Sequence, residues 1–255
     1  MNDEKMRKEQ FSRMERLLGR ENMERLLSAR VAVFGIGGVG GHAMEALARS
    51  GIGALDLVDS DRVCLSNLNR QIIATRSTLG MYKVDAAKER ILDINPEAKV
   101  TVYRTFFLPE NVDSFPFEKF DYIVDAIDTV AGKLALAEQA ARYHVPVISS
   151  MGAGNKIEAS ALMVSDIFET SVCPLARVMR RELKKRGIHH LKVVYSREIA
   201  MTPKTLDEPA GNDSDGGLRK TGRLAPGSNA FVPAAAGLIL AGEVIKDLTG
   251  IRGQF

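Results

Sequence analysis

A glycine-rich turn, Gly35-Ile36-Gly37-Gly38-Val39-Gly40, lies between the apolar run Arg30-Val31-Ala32-Val33-Phe34 and a helical stretch from His42 to Arg49. It constrains this chain more than any other feature. Gly35, Gly37 and Gly40 match the spacing G-x-G-x-x-G, and Gly38 opens the turn further. Glycines let backbone N–H groups approach an anion closely, and the start of the following helix adds a favourable dipole. A strand that feeds such a turn and then a helix is the first unit of a nucleotide-binding parallel sheet. The next apolar run, Ala54-Leu55-Asp56-Leu57-Val58, ends at Asp59, where this architecture places an acid for the ribose hydroxyls.

The residues after Asp59 argue against hydride transfer. Asp61 and the cluster Ser66-Asn67-Leu68-Asn69-Arg70-Gln71 crowd polar groups just past the ribose acid, and Lys83 opens the next helix. Arg70 and Lys83, expected at the site surface, are placed to clamp a triphosphate and to stabilise charge on a departing pyrophosphate. Asp125-Ala126-Ile127-Asp128-Thr129 puts carboxylates at the end of a later strand, where a Mg²⁺ ion bridging phosphates would sit. Each residue stands at a strand end or a helix start, and their order points to chemistry on ATP: activation of a carboxylate by adenylation.

The remaining apolar runs, Lys99–Thr105, Tyr122–Ala126 and Val145–Ser150, alternate with helical stretches at Lys83–Ile94 and Lys133–Tyr143. Such alternation predicts a Rossmann-like, doubly wound α/β fold with a mainly parallel sheet. At 255 residues the chain suits a single domain. Residues 1–28 precede the nucleotide unit as helices broken near Gly19, and an extended C-terminal region follows it. There, Ser160–Val164 and Leu191–Ser196 read as strands around a basic helix, and residues 201–229, rich in Gly, Pro, Asp and Ser, read as a long flexible loop. Phe231–Ile245 is apolar, but Glu243 interrupts it before the roughly 20 residues that a membrane span needs, so a small-residue core helix is expected and no membrane partner.

The first ten residues are polar and lack the apolar core of a secretory signal, which predicts a cytoplasmic protein. Only Cys64 and Cys173 occur, outside any Cys-x-x-Cys pair, which supports neither a disulfide framework nor a zinc site. The net charge of +3 permits an anionic partner without requiring one. Its clustering is more informative, because Arg177, Arg180, Arg181, Lys184, Lys185, Arg186 and Lys192 face little acidic compensation beyond Glu182. His189 and His190 extend this stretch. Such a run is usually a solvated helix face; as an RNA-binding surface, with few aromatics beside it, it would use phosphate contacts and shape recognition more than base stacking.

Taken together, the glycine turn, Asp59, Ser66–Gln71, Lys83 and Asp128 resemble the E1-like superfamily of ATP-dependent activating enzymes, and the resemblance covers most of the chain. Carried over by motif, it implies that Asp59 holds the ribose, that Asn67, Arg70 and Lys83 hold the phosphates, and that Asp128 holds Mg²⁺. In relatives an arginine of the neighbouring subunit reaches the phosphates. Arg13, in Phe11-Ser12-Arg13-Met14, is the matching residue and implies a homodimer. Within the superfamily the chain is most similar to bacterial tRNA threonylcarbamoyladenosine dehydratases, through the glycine turn, Ala46–Gly53, Ile94-Asn95-Pro96, Asp125–Asp128, Gly152-Ala153-Gly154, Asp166 and Pro174-Leu175-Ala176. That likeness implies ATP-driven cyclisation of the threonylcarbamoyl group on adenosine 37, in the anticodon loop of the tRNA. The carboxylate is adenylated, pyrophosphate leaves, and the substrate's own nucleophile closes the ring and expels AMP. Ring closure needs no enzyme thioester, which suits a chain with two cysteines. Some such dehydratases have a cysteine in the C-terminal portion, and 221–233 contains none.

The same superfamily allows a second reading, an adenylyltransferase for the C-terminal glycine of a ubiquitin-like sulfur-carrier protein, with a sulfur-transfer or carrier protein as partner. A third, of another class, is a non-catalytic nucleotide- or RNA-binding module.

Overall fold

The computed structural model describes residues 3–204 and 226–253. Two helices, α1 (Asp3–Leu18) and α2 (Arg20–Ser28), come first, separated at Gly19 as the sequence predicts. The described residues then form seven strands in one sheet, in the order β3-β2-β1-β4-β5-β7-β6. The strands are β1 (Arg30–Phe34), β2 (Ala54–Val58), β3 (Lys99–Tyr103), β4 (Tyr122–Asp125), β5 (Val147–Ser150), β6 (Leu162–Asp166) and β7 (Lys192–Ser196). All pairings are parallel except β6 with β7, which places the reversed strand at the edge of a mainly parallel sheet.

The central strands are continuous apolar runs because helices cover both of their faces. On one face α2, α3 (Gly40–Arg49), α4 (Lys83–Ile94) and α7 (Val232–Thr249) bury Leu26, Met44, Leu47, Ile91 and Leu240 over Val31, Val33, Leu55 and Leu57. The opposite face is closed by α5 (Val130–Tyr143) and α6 (Pro174–Lys185), with Phe34, Phe115 and Phe117 in one cluster and Met179, Leu183 and Val193 in another. Helix α7 is the expected small-residue core helix: Val232, Ala236, Leu240, Ala241 and Val244 are buried along it. Pro233 lies in its first turn, and Gly250, in the left-handed region at φ 71°, caps its end. Truncating Leu240 to Ala in this core would cost about 2–5 kcal/mol. No helix among the described residues is long and apolar enough to cross a membrane.

The strand order reverses direction between β1 and β4, with β2 leading one way and β5 the other. Loops leaving the C-terminal ends of β1 and β4 therefore diverge to opposite faces, and the crevice between them is where doubly wound sheets bind ligands. The glycine turn leaves β1 and the Asp128 loop leaves β4, so the topology alone brings these two distant segments together. Of the predicted 201–229 loop, residues 201–204 and 226–229 carry no regular element, and the rest lies outside the described residues.

Candidate active site

The glycine turn is anchored where it leaves β1, on both neighbouring strands. Gly35 N donates to Val58 O at 2.8 Å, and Ala126 N, at the start of the Asp128 loop, donates to Phe34 O at 2.8 Å. Gly35 has φ +88°, and a Cβ there would lie 2.6 Å from Ala126 O. A Cβ at Gly40 would overlap Gly35 O. Both residues are thus required by close backbone approach, whereas Gly37 faces open space, with nothing within 4 Å of where its Cβ would be. A turn compressed on its protein side and open above Gly37 is shaped to let a ligand reach the backbone.

Asp59 follows β2 directly, beside this turn. Its Oδ2 accepts from Ile36 N at 2.7 Å and its Oδ1 from Asp61 N at 2.8 Å, so one carboxylate joins the glycine turn to the loop that carries the polar cluster. Burial pushes its pKa above the ordinary aspartate value, against the opposing pull of Lys83 and the two amides. Sequence spacing assigns Asp59 to a ribose; the structure adds this second task of joining two loops.

Within the polar cluster the side chains divide by burial. Asn67 is fully buried: its Oδ1 accepts from Cys64 N at 3.2 Å, and its carbonyl accepts from Arg70 N and Gln71 N. In this structure it shapes the turn from which Arg70 projects. Arg70 donates through Nη1 to Ser66 O at 2.8 Å and to Asn69 Oδ1 at 3.0 Å, which holds its guanidinium along the rim near Gly38. Ser66 and Asn69 are exposed. Gln71 is buried, and its Oε1 has no hydrogen-bond partner. Such an atom is costly unless a ligand or water satisfies it.

Lys83 corrects an expectation. It does not lie at the surface but is 3% exposed, with Nζ donating to Asp61 Oδ2 at 2.8 Å. The bridge between Arg62 and Tyr82, together with Lys83 N on Asp61 O, draws the start of α4 under the Asp59–Asp61 loop. Asp128 is exposed on the loop after β4, next to Thr129, whose buried Oγ1 also has no partner. Arg13 is exposed on α1. That helix packs Phe11 near Gly51 and places Gln10 Nε2 on Ile94 O, at the N-terminal ends of the strands, so the fold of one chain does not carry Arg13 to the glycine turn.

The basic stretch also needs correction. Arg180 points inward, donating to Thr170 O at 2.9 Å and to Thr170 Oγ1. Lys192 is tied to Glu243 at 3.1 Å and Asp247 at 2.7 Å. Arg181, Lys185 and Arg186 share Glu182, and Arg186 also meets Glu138. Hydrogen bonds from Lys185, Arg186 and Arg181 hold Glu182 down to about 2. The exposed cations of the stretch are Arg177, Arg181, Lys184, Lys185 and Arg186, with His189 and His190 beyond.

Sequence spacing missed a C-terminal strap over the site. Ser228 O accepts from Asn69 Nδ2 at 3.2 Å, Gly227 N donates to Asn155 Oδ1 at 2.6 Å, and Asn229 Nδ2 donates to Lys156 O at 2.7 Å. The partners are over 70 residues apart, so no local pattern announces them.

A switch-point crevice with an open glycine turn, an acid at the end of the second strand and cations on the adjoining loop has the layout of a Rossmann-like nucleotide-binding enzyme. The chain belongs to the ThiF family, whose family model matches residues 11–255. It is 44% identical over 241 residues to the tRNA threonylcarbamoyladenosine dehydratase of Bacillus subtilis, covering 94% of each chain. The crystal structure of the Escherichia coli dehydratase, TcdA, in complex with AMP superposes with a TM-score of 0.84 at 34% identity, covering 95% of both chains. The ATP complex of that enzyme gives a TM-score of 0.82 at 33% identity over the same share of each chain. Likeness to an adenylyltransferase and sulfurtransferase UBA4 of Vanderwaltozyma polyspora is narrower, 35% over 149 residues, or 58% of this chain and 34% of that one.

Proposed function

We propose that this chain is an ATP-dependent dehydratase that adenylates the threonylcarbamoyl carboxylate at adenosine 37 of tRNA and cyclises it, releasing pyrophosphate and AMP. The observation that carries the reading is likeness to the Bacillus subtilis dehydratase along 94% of both chains, spanning the glycine turn, the polar cluster and the C-terminal region alike. The adenylyltransferase match covers 58% of this chain.

Two features of this structure fit a bound ATP. The backbone above Gly37 is open, and the buried Gln71 Oε1 lacks a partner. In the proposed arrangement Gly35, Gly37, Gly38 and Gly40 admit the phosphates to backbone N–H groups, and Asp59 with Asp61 faces the ribose. Asn67 and Lys83 hold the loop behind the phosphates. Arg70, with Ser66, Asn69 and Gln71 around it, turns from its Ser66 and Asn69 contacts to the triphosphate and stabilises charge as pyrophosphate leaves.

Mg²⁺ in phosphate-transfer sites is commonly held by one or two carboxylates together with substrate phosphates and water. Asp128 is such a carboxylate in our reading, and a bound Mg²⁺ would neutralise phosphate charge. A substrate carboxylate oxygen attacks the α-phosphorus, the bond to pyrophosphate breaks, and the acyl adenylate is then opened by the substrate's own nucleophile. One carboxylate oxygen departs with AMP, so the nucleoside loses one water. Exclusion of solvent water from the activated carboxyl is assigned to the strap at Ser228 and Asn229.

The functional unit we propose is a cytoplasmic homodimer in which Arg13 reaches the phosphates of the neighbouring subunit, a reading that fits its exposed position far from its own glycine turn. The exposed cations of α6 meet tRNA phosphates. The test is direct: modified tRNA is incubated with the protein, ATP and Mg²⁺, and mass spectrometry reads the nucleoside. Loss of one water is expected, and Asp128→Asn should lower turnover while leaving Mg²⁺-free ATP binding within about twofold, because an amide is a poorer ligand for a hard cation. An unchanged nucleoside, with pyrophosphate exchange on a sulfur-carrier protein instead, would replace this reading with the adenylyltransferase. Neither activity would leave a binding module.

A further inference from the structure

Beneath the site lies a buried charged cluster that none of the roles above uses. Asp125, Lys133 and Ser149 are 1%, 1% and 0% exposed. Lys133 Nζ lies 3.1 Å from both oxygens of Asp125, 3.2 Å from Ser149 Oγ and 2.7 Å from Ser150 O. Ser149 Oγ donates to Asp125 Oδ2 at 2.5 Å. Three ammonium protons thus meet three acceptor groups, and the hydroxyl proton goes to the carboxylate, so the cluster is complete within itself.

Completeness alone would be a packing detail, but the acceptors are the ends of two strands. Asp125 closes β4 and pairs in register with Ser149 of β5, and Ser150 is the last residue of β5. Both strands then release loops into the crevice: 126–129, which carries Asp128, and 151–154, whose Gly154 lies against Pro226 of the strap. Asp125 Oδ1 also accepts from Ile127 N at 3.1 Å, inside the first loop. That same loop abuts the glycine turn through Ala126 and Gly35. One ammonium group on α5 therefore fixes the departure of both loops.

A buried ion pair is a weak source of stability, since desolvation offsets most of its attraction. Geometric specification is a better account of its presence directly under a site. We propose that Lys133, through Asp125 and Ser149, is a positioning residue that sets Asp128 against the glycine turn for phosphate and metal contact. The proposal rests on Asp128 serving the phosphates.

Lys133→Met and the milder Ser149→Ala, each in the full chain, are compared with the unaltered protein in three measurements. These are amide hydrogen exchange, ATP affinity with and without Mg²⁺, and turnover on modified tRNA. In Lys133→Met, exchange should accelerate in 126–129 and 151–154, with Ile127 the leading amide, while the interior of β4 and helix α3 stay protected. ATP affinity without Mg²⁺ should stay within about twofold, its strengthening by Mg²⁺ should shrink, and kcat should fall by roughly ten- to a hundredfold, the scale of a small misplacement of reacting groups. Ser149→Ala should shift the same quantities in the same direction by about threefold, since one bond of the cluster is lost.

Exchange that rises across β4, β5 and α5 together, with both ATP affinities reduced, would show ordinary structural support and overturn the proposal. Local loosening with an unchanged Mg²⁺ response would overturn it as well. If Lys133→Met does not accumulate as folded protein, Ser149→Ala decides by the same criteria. If the unaltered protein leaves the tRNA unchanged, the dehydratase reading falls, while exchange and Mg²⁺-dependent ATP affinity still decide for or against the strut.

Discussion

The two ends of the sheet differ in how fully their buried polar groups are satisfied. At the N-terminal ends of β4 and β7, Asp247 accepts from Tyr122 at 2.6 Å, Lys192 at 2.7 Å and Arg252 at 2.7 Å, and Lys192 also meets Glu243. Burial is the largest single influence on Asp247 and pushes its pKa up, but the bonds from Lys192, Tyr122 and Arg252 outweigh it and hold the carboxyl below the ordinary value. At the C-terminal ends, Asp59 is raised, while Gln71 Oε1 and Thr129 Oγ1 are buried without partners. One end is satisfied by the protein itself and clamps α7 to the sheet. The other pairs its buried charges within the cluster of Asp125, Lys133 and Ser149 but leaves two buried atoms, Gln71 Oε1 and Thr129 Oγ1, without partners, the kind of group that a ligand or water satisfies. We infer a separation of stability from function along the strand axis.

If this separation is real, substitutions at the two ends should show opposite signatures. The largest effect belongs to Arg70→Ala, expected to reduce AMP formation on tRNA by about a hundredfold or more, since it removes a preorganised cation at developing phosphate charge. Its thermal midpoint should stay unchanged within about a degree, because the guanidinium lies along the rim. Lys83→Ala should share the catalytic loss and also lower the midpoint, since that lysine is buried against Asp61. Retained activity in both variants would break the functional half of the comparison.

Asp247→Asn should do the reverse, costing on the order of 1–3 kcal/mol of stability while kcat stays within about twofold. The pH dependence supplies its sign. A carboxyl whose folded pKa is depressed adds stability that is present above its unfolded value, about 4, and is lost as pH falls through the folded value. Denaturant midpoints measured from neutral pH down below about pH 4 should therefore fall more steeply in the unaltered chain than in Asp247→Asn. Equal slopes would remove the clamp from the satisfied end.

The smallest expected effect concerns α6. Glu182, held down by hydrogen bonds from Lys185, Arg186 and Arg181, partly neutralises all three cations. Glu182→Gln should strengthen tRNA binding by roughly two- to threefold at low salt and steepen its salt dependence, because freed cations displace more counterions. Weaker or unchanged binding would move the RNA surface away from this helix.

Much of the site is legible in local spacing. The G-x-G-x-x-G turn, Asp59 at a strand end and Arg70 three residues past Asn67 belong to single loops, where sequence distance sets spatial distance. The misreadings are of one kind. Local pattern puts Lys83 at the surface, counts Arg180 and Lys192 with an exposed basic patch, and gives no sign of the strap at 226–229. In each case a partner distant in sequence decides burial: Asp61 for Lys83, Thr170 for Arg180, Asp247 for Lys192, and Asn69 and Asn155 for the strap.

By itself the sequence determined the alternation of strands and helices, the glycine conformations after β1, and the chemical types gathered at strand ends, because these follow from side-chain periodicity and backbone sterics within a few residues. Only the tertiary structure decided that the β1 and β4 loops share one crevice, that Arg13 lies far from its own glycine turn, and that Lys133 ties Asp125 to Ser149 under Asp128. The physical reason is that a lysine is read from sequence as a surface charge by default. Burying one requires acceptors converging from separate strands, and that convergence exists only once the sheet has formed.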